Sequence, residues 1–186
     1  MSIVAIIGSA TPPGRLRRAV AEALDRSPAE TQLFDLAEHP LPFAGSAHFE
    51  APILDAVATA DAVLLATPVY RGTYTGVLKN LLDLLPVEAL QGKPAAIAAM
   101  GATDHHSLGP DWHLRDTLAW FGALTLPTSA YLSSRDFTDG VPGDRGVAEL
   151  DELLAGLAAL ADALPEGVTL GPAPLAARAR ATPRGG

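Results

Sequence analysis

Two rhythms alternate along the chain: short runs of continuous apolar residues, and longer stretches in which apolar positions recur every three or four residues. Ser2 to Gly8 is a run of the first kind, rich in β-branched residues, and predicts a strand buried on both faces. After a loop from Ser9 to Pro13, Leu16, Val20, Ala23 and Leu24 form the stripe of a helix from Gly14 to Arg26. Thr31 to Leu36 predicts a second strand, His39 to Glu50 a long loop, and Pro52 to Thr59 a short helix. The third apolar run, Ala62 to Thr67, stops at Pro68, and a helical pattern resumes from Val77 to Leu85. Lys93 to Met100 predicts a fourth strand, followed by a polar loop from Gly101 to Leu108. Pro110 fits the first turn of a helix ending near Phe121, because proline's missing N–H has no partner to lose there. Leu126 to Leu132 reads as a fifth strand, Ser133 to Gly146 as a loop, and Val147 to Leu164 as a long amphipathic helix. From Pro165 to Gly186 the chain is rich in proline, alanine and arginine, the composition of a flexible tail.

Strand and helix alternate throughout, which predicts an α/β domain over residues 1–164. Its core is a doubly wound, five-stranded parallel sheet with helices on both faces. In the order 2-1-3-4-5 the switch point lies between strands one and three, and ligands bind beyond the carboxyl ends of such strands. Three loops then meet. Ser9 to Arg15 precedes a helix whose free N–H groups and dipole favour an anion, with Ser9 and Thr11 as hydroxyl donors and Arg15 as a cation. Arg17 and Arg18 read as the solvated face of that helix. The spacing matches neither a nucleoside-triphosphate loop nor the dinucleotide glycine fingerprint, so a monophosphate suits it better. In the second loop, Pro68, Val69, Tyr70, Arg71 and Gly72 let a flat ring lie against backbone N–H groups, with Tyr70 or Tyr74 to stack on it. In the third, Gly101 and Ala102 allow the backbone to approach a ring edge, with His106, ahead of His105, toward the ring's polar edge.

Composition narrows the chemistry. The 186 residues contain no cysteine, which removes disulfides, thiolate metal sites and cysteine nucleophiles. A net charge of −8 argues against general nucleic-acid binding. Asp104, His105, His106, Asp111 and His113 meet no metal-ligand spacing, so no metal is expected. No apolar stretch reaches the roughly 18 residues of a membrane span, and no charged segment precedes a signal-like run, so a cytoplasmic address is expected.

Thr67-Pro68-Val69-Tyr70, with Tyr74-Thr75-Gly76-Val77-Leu78-Lys79-Asn80-Leu81-Leu82-Asp83-Leu84-Leu85-Pro86, closely resembles the NAD(P)H-dependent FMN reductases, above all those serving alkanesulfonate monooxygenases. Leu90-Gln91-Gly92-Lys93, Gly101-Ala102-Thr103, His106 and Asp111-Trp112 fit the same pattern, and the likeness covers about residues 3 to 135. It implies a flavodoxin-like fold, FMN and NAD(P)H as cofactors, a homodimer or homotetramer, and a possible partner monooxygenase. It also implies FMN contacts at Ser9 and Arg15 for the phosphate, Pro68 to Gly72 for the isoalloxazine, and Gly101, Thr103 and His106 at its far edge. Gly14, Leu16 and Arg17 stand where many relatives carry serines, which leaves a phosphate grip that is looser or dominated by arginine. Trp112 stands where some relatives carry tyrosine at a subunit interface.

Other readings of the same crevice are an FMN-bound quinone or azo reductase, a flavodoxin-type electron carrier without turnover, and an α/β domain without flavin. The helix from Val77 carries an apolar stripe wider than one sheet face needs, through Leu78, Leu81, Leu82, Leu84 and Leu85, and so predicts a partner contact. The helix with Trp112, Trp120 and Phe121 is the second candidate.

Overall fold

Continuous apolar strands require cover on both faces, and the chain supplies it. The computed structural model describes residues 1–45, 51–165, 170–174 and 178. The strands are β1 (Ser2–Ile7), β2 (Glu30–Asp35), β3 (Ala62–Pro68), β4 (Pro94–Met100), β5 (Leu124–Thr125) and β6 (Ala130–Leu132). They form one parallel sheet in the order β2-β1-β3-β4-β5, with β6 also paired to β4. The order is flavodoxin-like, as expected. Helices α1 (Arg15–Arg26), α2 (Pro52–Thr59), α3 (Gly76–Leu84), α4 (Leu108–Phe121) and α5 (Asp144–Ala163) cover it. A small hairpin, β7 (Phe137–Thr138) and β8 (Val141–Pro142), precedes α5.

Alternate strand residues divide the core in two. Val4, Ile6, Val63, Leu65 and Ile97 pack under α2, α3 and α4, and Ile3, Ala5, Ile7, Leu64, Ala66 and Ala98 under α1 and α5. Period-two side-chain alternation is therefore present, although no polar residue marks it.

Three expectations change. The fifth strand is broken: Leu126 N–H still donates to Ala95 O, but Pro127 has no N–H to continue the ladder. The Arg115 guanidinium instead donates to the carbonyls of Leu126 and Pro127, at 2.6 and 3.5 Å, and pairing resumes only at Ala130. Helix α5 begins at Asp144, three residues earlier than Val147, because Gly143 serves as its N-cap and Asp144 suits the first turn. Most consequential is α3. Leu78, Leu81, Leu82 and Leu85 are buried within this chain, and Val77 and Leu84 are half-buried. Most of its apolar surplus is thus taken up within this chain, where Pro42 and Ala44 of the long loop after β2 bond Asn80. Leu108, Trp112 and Trp120 on α4 remain exposed, the two tryptophans at 63% and 55%. The expected flexible tail falls mostly outside the described residues; Pro174 is placed beside Gly122.

Candidate FMN site

A cavity of about 360 Å³ opens beyond the carboxyl ends of β1, β3 and β4, within the range of small-ligand pockets. Ser9, Thr11, Arg15, Pro68, Val69, Tyr70 and Gly101 border it, so the three loops converge. Arg71, Gly72, Tyr74, Thr103 and His106 do not line it, and each has a local reason. Arg71 and Gly72 form the tip of a turn at φ +53° and +78°, closed by paired bonds between Tyr70 and Thr73. Tyr74 turns its hydroxyl to Thr117 Oγ1 at 3.0 Å and packs with the core under α4. Thr103 gives its carbonyl to the Tyr131 hydroxyl at 2.7 Å, while His106 is exposed in a short helical turn.

The β3–α3 loop is tightly built. Thr75 donates from Oγ1 to Gly8 O at 2.6 Å and accepts from Leu78 N–H, capping α3 and tying it to β1. Thr75 N–H donates to Thr67 Oγ1, and Val69 N–H to Met100 O at 2.8 Å. Helix α4 touches the loop through backbone, since a Cβ added at Gly109 would lie 1.9 Å from Gly72 O. These bonds occupy the N–H groups of Val69 and Tyr70, which the ring was expected to use. Gly101 N–H is likewise bonded, to Leu132 O. Among the described residues, the N–H groups of Ala102 and Thr103 at the β4 end have no protein partner. The backbone donors left open at the strand ends therefore lie in that loop and not after β3. Tyr131 positions it: its hydroxyl holds Thr103 O, and a Cβ at Gly101 would come within 2.0 Å of that hydroxyl. Burial raises the Tyr131 pKa, so the hydroxyl stays a donor at neutral pH.

At the other end, α1 starts at Arg15 behind Gly14 as its N-cap, with no side-chain cap among the described residues and no acidic residue in its first turn, an arrangement that favours an anion. Arg15 reaches across to Ser134 Oγ at 3.3 Å and lies over the Phe137 ring. Ser134 borders the cavity, a contribution hidden in what reads as a linker. Its turn is fixed by Asp136, which accepts from Ser133 N–H and pairs with Arg145. The Arg145 guanidinium holds that carboxyl below the usual range. Asp35, at the end of β2, and Arg17 also border the cavity, and neither was expected there. Arg18 is the solvated residue foreseen, paired with Glu22; Arg17 instead lies 3.2 Å from the buried Asp35 carboxylate.

Fold and crevice together define a flavodoxin-like protein whose cavity has the start of α1, with Ser9, Thr11 and Arg15, at one end and the loop after β4 at the other. The family model described as NADPH-dependent FMN reductase matches residues 1–138. An FMN reductase (NADPH) of Pseudomonas aeruginosa is 37% identical over 145 residues, covering 73% of this chain and 78% of that protein. The NADH-dependent FMN reductase SfnF of Pseudomonas fluorescens is 35% identical over 150 residues, covering 75% and 80%. Among solved structures, the apo form of the NADH:FMN oxidoreductase EmoB superposes with a TM-score of 0.71 at 29% identity, over 89% of this chain and 90% of that one. The chain belongs to the NADPH-dependent FMN reductase family and is an oxidoreductase that uses FMN and a nicotinamide nucleotide.

Proposed function

We propose that the chain reduces FMN with NAD(P)H and releases the reduced flavin to a partner monooxygenase. The observation that carries the FMN assignment is the convergence of an uncapped helix N-terminus, Arg15 and the three strand-end loops on one cavity. Bound FMN supplies the ring that accepts hydride; the protein supplies position, electrostatics and exclusion of water. The N–H groups of α1, Ser9, Thr11 and Arg15 hold the phosphate. Pro68, Val69 and Tyr70 bound the ring's flank, and the free N–H groups of Ala102 and Thr103 stabilise negative charge at its polar edge. Release of flavin is supported by the openness of the ring end, where Tyr70 is 47% exposed.

The chain assembles as a homo-oligomer through the exposed face of α4, where Trp112, Trp120 and Leu108 leave large apolar area in water. Among the described residues no helix is long and apolar enough to cross a membrane. A cytoplasmic address suits a reaction that draws on NAD(P)H. The test is NAD(P)H oxidation with and without added FMN. Purified colourless protein that turns over only with FMN supports exchange; a tightly yellow protein indifferent to added FMN would refute it.

A further inference from the structure

Resting on the FMN reading, the geometry points to Arg17, pinned by the buried carboxylate of Asp35, as a second phosphate-binding cation and the residue that makes the site select a phosphorylated flavin. Asp35 is only 2% exposed, yet it borders the cavity that Ser9, Thr11 and Arg15 also line, groups able to donate to an anion. Its Oδ1 accepts from Ala37 N–H at 3.0 Å. Among the described residues its Oδ2 has no aligned hydrogen bond, and neither has Arg17 Nε, although the two buried atoms lie 3.2 Å apart. Buried polar atoms are seldom left in that state.

Asp35 unpaired would set a buried negative charge against an incoming phosphate. Arg17 offsets Asp35, while the second carboxylate it meets, Glu38, is exposed and screened by water, and Arg17 keeps donors in reserve. Nη2 meets Glu38 at 3.2 Å, while Nη1 has no partner among the described residues. Residues two apart on a helix point about 200° apart. Arg15 accordingly reaches toward Ser134 and Phe137, and Arg17 toward Asp35 and Glu38. A phosphate held on the free N–H groups of α1 would have Arg15 to one side and Arg17 to the other. Arg15 is an exposed arm with a weak tether, whereas Arg17 is braced by two carboxylates, so its positioning costs less side-chain entropy on binding.

The experiment is flavin-fluorescence titration of the intact chain with FMN and with riboflavin, which lacks the phosphate. Wild type should take FMN at least about tenfold more tightly than riboflavin. Arg17→Gln should remove most of that preference by weakening FMN alone. Arg17→Gln combined with Asp35→Asn should stay weak for FMN, because the phosphate's cation is still missing. Recovery of FMN affinity in the double variant would overturn the proposal and show Arg17 to be only a screen for Asp35. An unchanged FMN-to-riboflavin ratio in Arg17→Gln would overturn it too. Equal affinity of wild type for both flavins would refute a phosphate subsite while leaving the flavin reading intact. Uptake of neither flavin would remove both.

Discussion

The β3–α3 loop and the β1–α1 loop border the same cavity, and they are held in opposite ways. In the first, Thr67, Val69, Tyr70, Thr73 and Thr75 bond within the protein, and α4 presses on Gly72 through a glycine. In the second, the contacts are a Ser9–Thr11 hydroxyl pair, the bond from Thr11 N–H to Ser9 Oγ, and arginines reaching outward from α1. On the proposed reading, the ring end is thus preorganised by the fold, while the phosphate end keeps its donors for a ligand. Changes at the ring end should disturb stability and binding together. Changes at the phosphate end should weaken binding and leave stability alone.

The largest effect is expected from Gly109→Ala. The new Cβ would meet the Gly72 carbonyl, a backbone atom that can move only with its loop. FMN affinity should fall more than about tenfold, since misplacement by an ångström is costly at a positioned site. Gly76→Ala is the control: no atom of the described residues lies within 4 Å of its Cβ position and its φ is ordinary, so stability should be unchanged or slightly higher. Equal tolerance of both substitutions in fluorescence titration and urea unfolding would show that α4 does not set the loop.

Thr75→Val comes next. It leaves the Gly8 carbonyl unpaired in the core and uncaps α3, which should cost about 1–2 kcal/mol in urea unfolding. Thr75→Ser should recover most of it. FMN affinity should drop with stability, because Gly8 adjoins the phosphate loop.

How much of this was legible without coordinates follows the same division. The strands were, because runs such as Ala62 to Ala66 fit little but a sheet covered on both sides. The break at Leu126–Ser129 was not. Pro127 was visible in the pattern, but its rescue by Arg115 lies across a helix. Arg17 and Asp35 were missed for a related reason. An arginine at a helix start reads as solvated until the register of α1 on β2 sets a buried carboxylate beside it. Tyr74 shows the converse, an aromatic in a ligand-sized loop that packs against α4. Spacing identified the loops; which way each side chain turned depended on neighbours distant in sequence.

A third prediction places a pH response outside the crevice. Lys93 donates from Nζ to the carbonyls of Val57 and Ala58 at the end of α2, and burial pushes its pKa down to about 8, with Asp61 only partly opposing. The unfolded chain holds that proton until near the ordinary lysine value of 10.5. Between these values the unfolded state binds more protons, so stability should rise with pH from about 8 to 10 and be flat, for this group, below. Urea midpoints across that range should show the slope in wild type and lose it in Lys93→Met. A slope of the opposite sign would mean that the two carbonyls, not burial, set the lysine's charge.

The smallest effect, and the sharpest for the comparison, is Ser9→Ala. Ser9 is nearly buried, and its Oγ lies 2.9 Å from Thr11 Oγ1 and accepts from Thr11 N–H at 3.2 Å. Were this loop held like its neighbour, losing the hydroxyl would cost stability in the unbound protein. If the hydroxyls instead serve the phosphate, the urea midpoint should not move and FMN affinity should fall only a few-fold, because the α1 N–H groups and both arginines remain. Thr11→Ala should behave alike, and the double variant should lose less than the sum, since the two hydroxyls bond each other. A loss of more than about 1 kcal/mol in Ser9→Ala without flavin would mean that the phosphate end, too, is held by its own bonds. The contrast between the two walls would then rest on α4 and Gly72 alone.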